Sequence, residues 1–336
     1  MKRYNIKFVR LVCTGCLITF FTCSYGQRPS FGALDLPDRA GITALGGYNI
    51  TTDFMGINNP ALVFDTLDQQ IALSFLPHFA GAMQFSLAGL VDLPEVGMMS
   101  LVFSGTNYGQ MQGYDPAGTE TEIFSAGDYS FAVGKGFSAG NFSFGANLQF
   151  VYSGLAGYNA SALFVDLGGV FVHPQQDVRI GLLIKDVGFV FNRFSSDNSQ
   201  DIPLDIRAEV AFKPEHMPFR FILTAINLMP GQTVDLSVTG QSFTAGHLLK
   251  YLNFGGEILI HHNFQGLLGY NFIRRYEMTP VYPVRGAGLS FGFRLKQKGM
   301  YFEYGNAKFN AGTMRHHFSW GLALDRIFKQ LEKSKD

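Results

Sequence analysis

Between Phe142 and Ser153 the chain alternates, with Val151 the one apolar residue on the small and polar side. Phe142, Phe144, Ala146, Leu148, Phe150 and Tyr152 interleave with Ser143, Gly145, Asn147, Gln149 and Ser153. A period of two puts alternate side chains on opposite faces of a strand. The same alternation recurs from about residue 70 to 328, in segments of roughly ten residues separated by turn signals. One half-buried strand can show this pattern in a soluble sandwich. A long series of them, apolar on one face and small or polar on the other, fits a closed wall with lipid outside and polar groups within. The expected fold is therefore all-β: a transmembrane antiparallel β-barrel of about 14 strands, preceded by an N-terminal plug segment.

Composition agrees where it bears on this choice. Charged residues make up 15% of the 336, against about 25% in ordinary soluble domains. Aromatic girdles would use the 34 Phe and 14 Tyr, and a crowded lumen the 39 Gly. Zero net charge gives no pull toward nucleic acid. Outside the first residues no apolar run is long enough for a membrane-spanning helix.

The N-terminus reads as a secretory signal over residues 1–26. Lys2, Arg3, Lys7 and Arg10 precede the apolar stretch 11–21, and Ser24 and Gly26 suit a cut before Gln27. Cys13, Cys16 and Cys23 all fall inside this leader, so the mature chain is expected to be free of cysteine. Phe21-Thr22-Cys23 makes an imperfect lipoprotein box, because Thr22 is larger than the residue such a box favours. A secreted, apolar chain of this kind belongs in the outer membrane of a Gram-negative cell. Residues 27–67 do not alternate cleanly and form the expected periplasmic or plug segment. Residues 68–328 are the expected barrel, and 329–336 a charged, solvated tail.

Strands are expected over 70–79, 82–92, 97–108, 125–137, 141–154, 159–173, 178–191, 204–213, 219–228, 251–261, 264–276, 285–296, 300–310 and 315–328. The long connection between 108 and 125 carries Asp115-Pro116-Ala117-Gly118 and reads as a polar loop. Short turns mostly alternate with longer loops, as periplasmic turns and outer loops would. In the last strand Phe318, Trp320, Leu322, Leu324 and Phe328 are expected to face lipid, opposite Ser319, Gly321, Ala323 and Asp325. Arg179, Lys185, Asp186, Arg207, Glu209, Glu257, Arg294 and Glu303 lie within strands. An Arg or Lys facing lipid at mid-depth costs about 2–4 kcal/mol, so these charges are expected to face the lumen.

No catalytic constellation emerges. A Gly-x-Ser-x-Gly elbow needs a strand–helix turn that this fold lacks. His316-His317 and His261-His262 are adjacent pairs, and neighbours on a strand point to opposite faces. Neither pair is read as a metal site, and no cofactor is expected.

Two resemblances refine the reading. Asp38-Arg39, then Leu45-Gly46-Gly47, then Asn59-Pro60-Ala61, resemble in order the N-terminal signature of FadL-like outer-membrane barrels. A wider set of motifs resembles the PorQ family of type IX secretion barrels. It comprises Pro29 to Pro37, Thr119-Glu120 with Phe124 to Tyr129, Pro218 to Phe221, Leu223 to Leu228, and Gly269 to Phe272 with Arg274-Arg275. That resemblance implies a non-enzymatic barrel that anchors a PorZ-like surface protein beside PorU-like and PorV-like subunits during attachment of cargo to lipopolysaccharide. Tyr114, Asp115, Pro116, Glu120 and Glu122 form the candidate partner loop. The alternative is FadL-like transport of a small hydrophobic ligand through the plug and lumen.

Overall fold

The computed structural model describes residues 31, 34, 36–64, 67, 69–194, 204–228, 249–278, 284–309 and 312–324. The expected leader, the charged tail and the expected lipid-facing Phe328 lie outside them. Among the described residues there are fourteen strands. The first half holds β1 (Gln70–Pro77), β2 (Met83–Leu93), β3 (Gly97–Tyr114), β4 (Glu120–Ala139), β5 (Phe142–Leu155), β6 (Tyr158–Val172) and β7 (Asp177–Asn192). The second half holds β8 (Asp205–Lys213), β9 (Phe219–Ala225), β10 (Leu252–His261), β11 (Phe264–Asn271), β12 (Leu289–Gln297), β13 (Met300–Ala307) and β14 (Arg315–Ala323). Each pairs antiparallel with its chain neighbours, and β1 pairs with β14 to close the ring. Closure removes every sheet edge, which is the condition for strands to cross hydrocarbon.

Side-chain alternation sets which face is which. On β5, Phe142, Phe144 and Leu148 are 51%, 44% and 51% exposed, while Ser143 and Asn147 are 7% and 6% exposed. The outward aromatics line up across strands. Phe293, Phe302, Tyr304, Phe318 and Trp320 form a continuous row with ring centroids 5.5–6.0 Å apart. An apolar exterior of this extent on a closed ring is a lipid-facing belt. All eight strand charges singled out in the sequence are turned inward or only partly exposed, so none stands out into that belt.

The rim that carries Gln70 and Ala323 has tight turns, such as Lys298–Gly299, where both residues take positive φ (50° and 83°). That is the primed turn whose twist matches a hairpin. Longer connections fall at the opposite rim.

Two expectations need correction. The span between 108 and 125 is not a polar loop: β3 and β4 continue as a ribbon, pairing Gln110 with Ser125, Met111 with Phe124 and Tyr114 with Glu120. Asp115 closes its tip by accepting from the Ala117 and Thr119 amides at 2.9 and 2.8 Å. Likewise, β11 stops at Asn271 instead of running to residue 276. The Asn271 side chain accepts from the Arg274 amide at 2.9 Å and starts a short helix, Phe272–Glu277.

Inside the ring lies the segment 36–64. Its α-helical turn, α1 (Ala40–Ala44), is wholly buried and packs on β11–β14. A 3-10 turn, Pro60–Leu62, packs on β4–β6.

Candidate functional site: the inner segment and the lumen wall

Arg39 is the anchor. Its side chain is fully buried, with Nη1 donating to Asp53 at 2.5 Å and Nη2 and Nε donating to Glu303 at 2.8 and 3.1 Å. Glu303 also accepts from Arg294 Nε at 2.6 Å, across the β12–β13 pair. Burial opposes the Arg39 charge, but the carboxylates of Glu303 and Asp53 outweigh it and hold the guanidinium firmly protonated. The Phe54 ring lies 4.2 Å from the Arg39 guanidinium carbon and 4.1 Å from Lys296 Nζ. Asp53 directs its other oxygen to the Ile57 amide at 3.0 Å, so the ion pair also shapes the loop that follows.

The carbonyls that end α1 have no partner within so short a helix. The wall supplies them: Ser290 donates to Ala44, Asn253 to Leu45 and Asn271 to Gly46, each at 2.9 Å. Gly46 and Gly47 reverse the chain there with φ of 93° and 100°, a backbone that other residues rarely adopt. At the start of α1 the Ala40 amide donates to Ser319 at 2.8 Å, and Thr43 Oγ1 meets His317 Nδ1 at 2.7 Å. Glu209 on β8 accepts from the Ile50 and Thr51 amides and from the Thr51 and Thr224 hydroxyls, all within 3.1 Å.

Asn59 accepts from the Ala61 amide at 3.0 Å and donates to the Ile50 carbonyl at 2.8 Å, which fixes the Pro60–Leu62 turn. Wall glycines let this segment approach. A Cβ on Gly305 would collide with the Ala40 carbonyl, one on Gly145 with Pro60, and one on Gly168 with Asn59.

The expected signature residues thus separate into two uses. Arg39, Leu45 and Gly46 meet wall strands within β8–β14, and Gly47 lies beside the Arg274 side chain; Asn59, Pro60 and Ala61 meet β4–β6. Tyr114, Asp115, Pro116, Glu120 and Glu122 belong to neither and sit at the ribbon tip, exposed. The sequence did not single out Asp53, Asn253, Ser290 or Thr224 as site residues; for the last three the only signal was polarity at lumen-facing strand positions. Asp38 stood only as the residue before Arg39 in the signature, and Asn271 only within the 269–272 motif.

Between the inner segment and β3–β7 the lumen is not filled. A small recess, a cavity of ≈40 Å³, is lined by Leu34, Asp38, Ile57 and Asn58 on one side, and by wall residues including Asn147, Asp166 and Lys185 on the other. A second of ≈20 Å³, sharing Leu34, Ser104 and Ser130, runs toward Phe31 and Val151. Burial pushes the Asp38 carboxyl up to about 6, against the pull of Lys185.

No family model matches the chain, and no curated protein matches it. Solved structures do. The crystal structure of the P. putida toluene transporter TodX superposes with a TM-score of 0.51 at 12% identity, covering 86% of this chain and 99% of that one. A deltaS2 mutant of the TodX monoaromatic hydrocarbon channel gives 0.44 at 12% identity over 84% and 96%. CdiB from Acinetobacter baumannii gives 0.36 at 10% over 76% and 59%. The first of these shares the fold, a closed fourteen-strand antiparallel barrel of the outer-membrane type, which is the FadL-like architecture expected from the sequence.

Proposed function

We propose that the protein is a non-enzymatic outer-membrane channel in which a small molecule passes by way of the recess between the inner segment and β3–β7. The fold carries this reading: a buried inner segment sits in a closed fourteen-strand ring, with cavities of ≈40 and ≈20 Å³ beside β3–β7, where a shift of the segment would widen the path. The toluene transporter TodX, which shares the fold, lends support. Liposome-swelling rates with the purified protein test it. Permeation of small aromatic solutes that stops when Ser130→Trp fills the recess is the expected result. Rates equal to protein-free liposomes would overturn it.

A second reading has its own observation. The β3–β4 ribbon extends past the wall and presents Tyr114 and Ile123, each 62% exposed, beside Asp115, Glu120 and Glu122. In this reading the protein is PorQ-like and holds a PorZ-like surface protein next to PorU-like and PorV-like subunits. Affinity capture of the tagged barrel tests it. A stoichiometric soluble partner, lost when 110–124 is shortened, would support anchoring; a barrel recovered alone would sink it.

A further inference from the structure

We propose that the mouth above β11–β14 is an anion site that takes a phosphoryl group. The inference stands apart from both readings above, since it does not require the lumen to conduct. The site lies on the rim of longer connections, at the Arg274-Arg275 motif that neither reading uses. Among the described residues, Arg39, Arg179, Arg207, Arg220 and Arg294 each meet a carboxylate within 3.9 Å. Arg274 and Arg315 meet none, and Arg274 Nη1 and Arg315 Nε are buried without a hydrogen-bond partner. An arginine stays charged, so burial without a counter-charge costs stability until an anion arrives.

Arg274 is held in place. The Asn271 side chain accepts from the Arg274 amide and donates to the Gly46 carbonyl, each at 2.9 Å. This sets the start of the helix Phe272–Glu277 over the inner segment. Arg274 Nη2 stands beside Gly47, where a Cβ would come within 3.1 Å of it. Its guanidinium carbon lies 4.6 Å from the Phe309 ring, which packs edge-on against His78 at 5.5 Å. Burial lowers the His78 pKa, and the nearby Arg315 charge lowers it further. The two guanidinium groups thus flank the Phe309–His78 pair.

Charge around them has one sign. The connections 272–288 and 308–315 carry Arg274, Arg275, Arg285, Lys308 and Arg315 against Glu277 alone. Glu303, the carboxylate of β13, is taken by Arg39 and Arg294. On the same rim the β3–β4 ribbon is the reverse, since residues 97–134 hold no Lys or Arg. An anion is therefore drawn to this side of the mouth. A phosphoryl group offers more charge and more acceptor oxygens than a carboxylate, which suits two guanidinium forks.

Isothermal titration of the detergent-solubilised full chain with inorganic pyrophosphate is the test, with acetate for comparison. Pyrophosphate is expected to saturate one site and to bind at least about tenfold tighter than acetate. Arg274→Gln and Arg315→Gln are each expected to weaken it about tenfold, while Lys298→Gln at the opposite rim leaves it unchanged. Arg274→Lys keeps the charge but loses the fork, and is expected to weaken binding about threefold. Because neither guanidinium holds a protein carboxylate, the glutamine variants should unfold at the parent's urea concentration. No saturable binding, acetate bound as tightly, unchanged affinity in the glutamine variants, or a lower urea midpoint for them overturns the proposal. Micellar phosphatidic acid separates two sources of the group. Competition with pyrophosphate assigns the site to a lipid headgroup; binding that this lipid leaves unchanged assigns it to a soluble phosphorylated solute.

Discussion

The inner segment meets the two halves of the barrel in different ways. Toward β8 and β10–β14 its polar groups are bonded to the wall: Arg39 to Glu303, the α1 carbonyls to Ser290, Asn253 and Asn271, and the Ile50–Thr51 amides to Glu209. Toward β3–β7 it touches the wall closely at the Pro60–Leu62 turn and leaves a recess beside it. One flank commits many of its polar groups to holding. The other meets the segment at the Pro60–Leu62 turn and through Arg179, which donates to the Thr51 carbonyl, and leaves small cavities beside it. Rigid attachment on one flank lets the opposite flank stay open without the segment drifting into it.

The largest effect is expected on the sealed flank. Glu303→Ala leaves Arg39 and Arg294 buried without their shared carboxylate, a loss of about 3–5 kcal/mol in urea titrations of the folded barrel. Asp166→Ala on the open flank removes only one amide bond and should lose well under half of that. Equal losses would erase the distinction.

Asp38 gives a pH-dependent contrast. Because burial raises its folded pKa from 3.8 to about 6, the folded state holds this proton to higher pH than the unfolded chain. Its contribution is complete below about pH 3.8 and is lost as pH rises through about 6. Asp38→Asn should therefore match the parent at about pH 4 and exceed it at about pH 8 by at most about 3 kcal/mol, read as the difference in unfolding midpoints. A gain at the acid end instead would contradict the assignment.

Steric contrasts are smaller. Gly305→Val and Gly145→Val place methyl groups against the Ala40 carbonyl and Pro60, and each should destabilise by about 1–3 kcal/mol while exposing 36–64 to protease. Gly256→Ala, whose Cβ would meet nothing within 4 Å, should not. The smallest effect is expected at the ribbon: shortening 110–124 should change barrel stability by no more than about 0.5 kcal/mol, since its pairs lie beyond the wall.

The wall was legible because its physics is periodic. Phe142 to Ser153 announces two faces, and a series of such runs points to the class and the strand number. The ribbon was missed because Asp115-Pro116-Ala117-Gly118 is a turn signal, and nothing local says how far pairing continues toward it. The helix after Asn271 was missed for the converse reason: a single cap residue ends a strand whose apolar pattern runs on. At the site, Arg39, Gly46, Gly47 and Asn59 stood out as a motif. The wall groups that bind this segment, Glu303, Asn253, Asn271 and Ser290, lie more than 200 residues away in the chain and become neighbours only when the ring closes. A bulge at Lys185–Asp186 on β7 breaks the period of two and carries no signal in composition.

The asymmetry can be tested directly with single thiols, placed in a chain whose Cys13, Cys16 and Cys23 are replaced by serine. Gln149→Cys sits on the open flank and Ser290→Cys on the sealed one. With the purified barrel, a small methanethiosulfonate should modify Gln149→Cys at least about tenfold faster than Ser290→Cys. Equal rates at the two positions, or faster modification at Ser290→Cys, would contradict an inner segment fastened on one flank and open on the other.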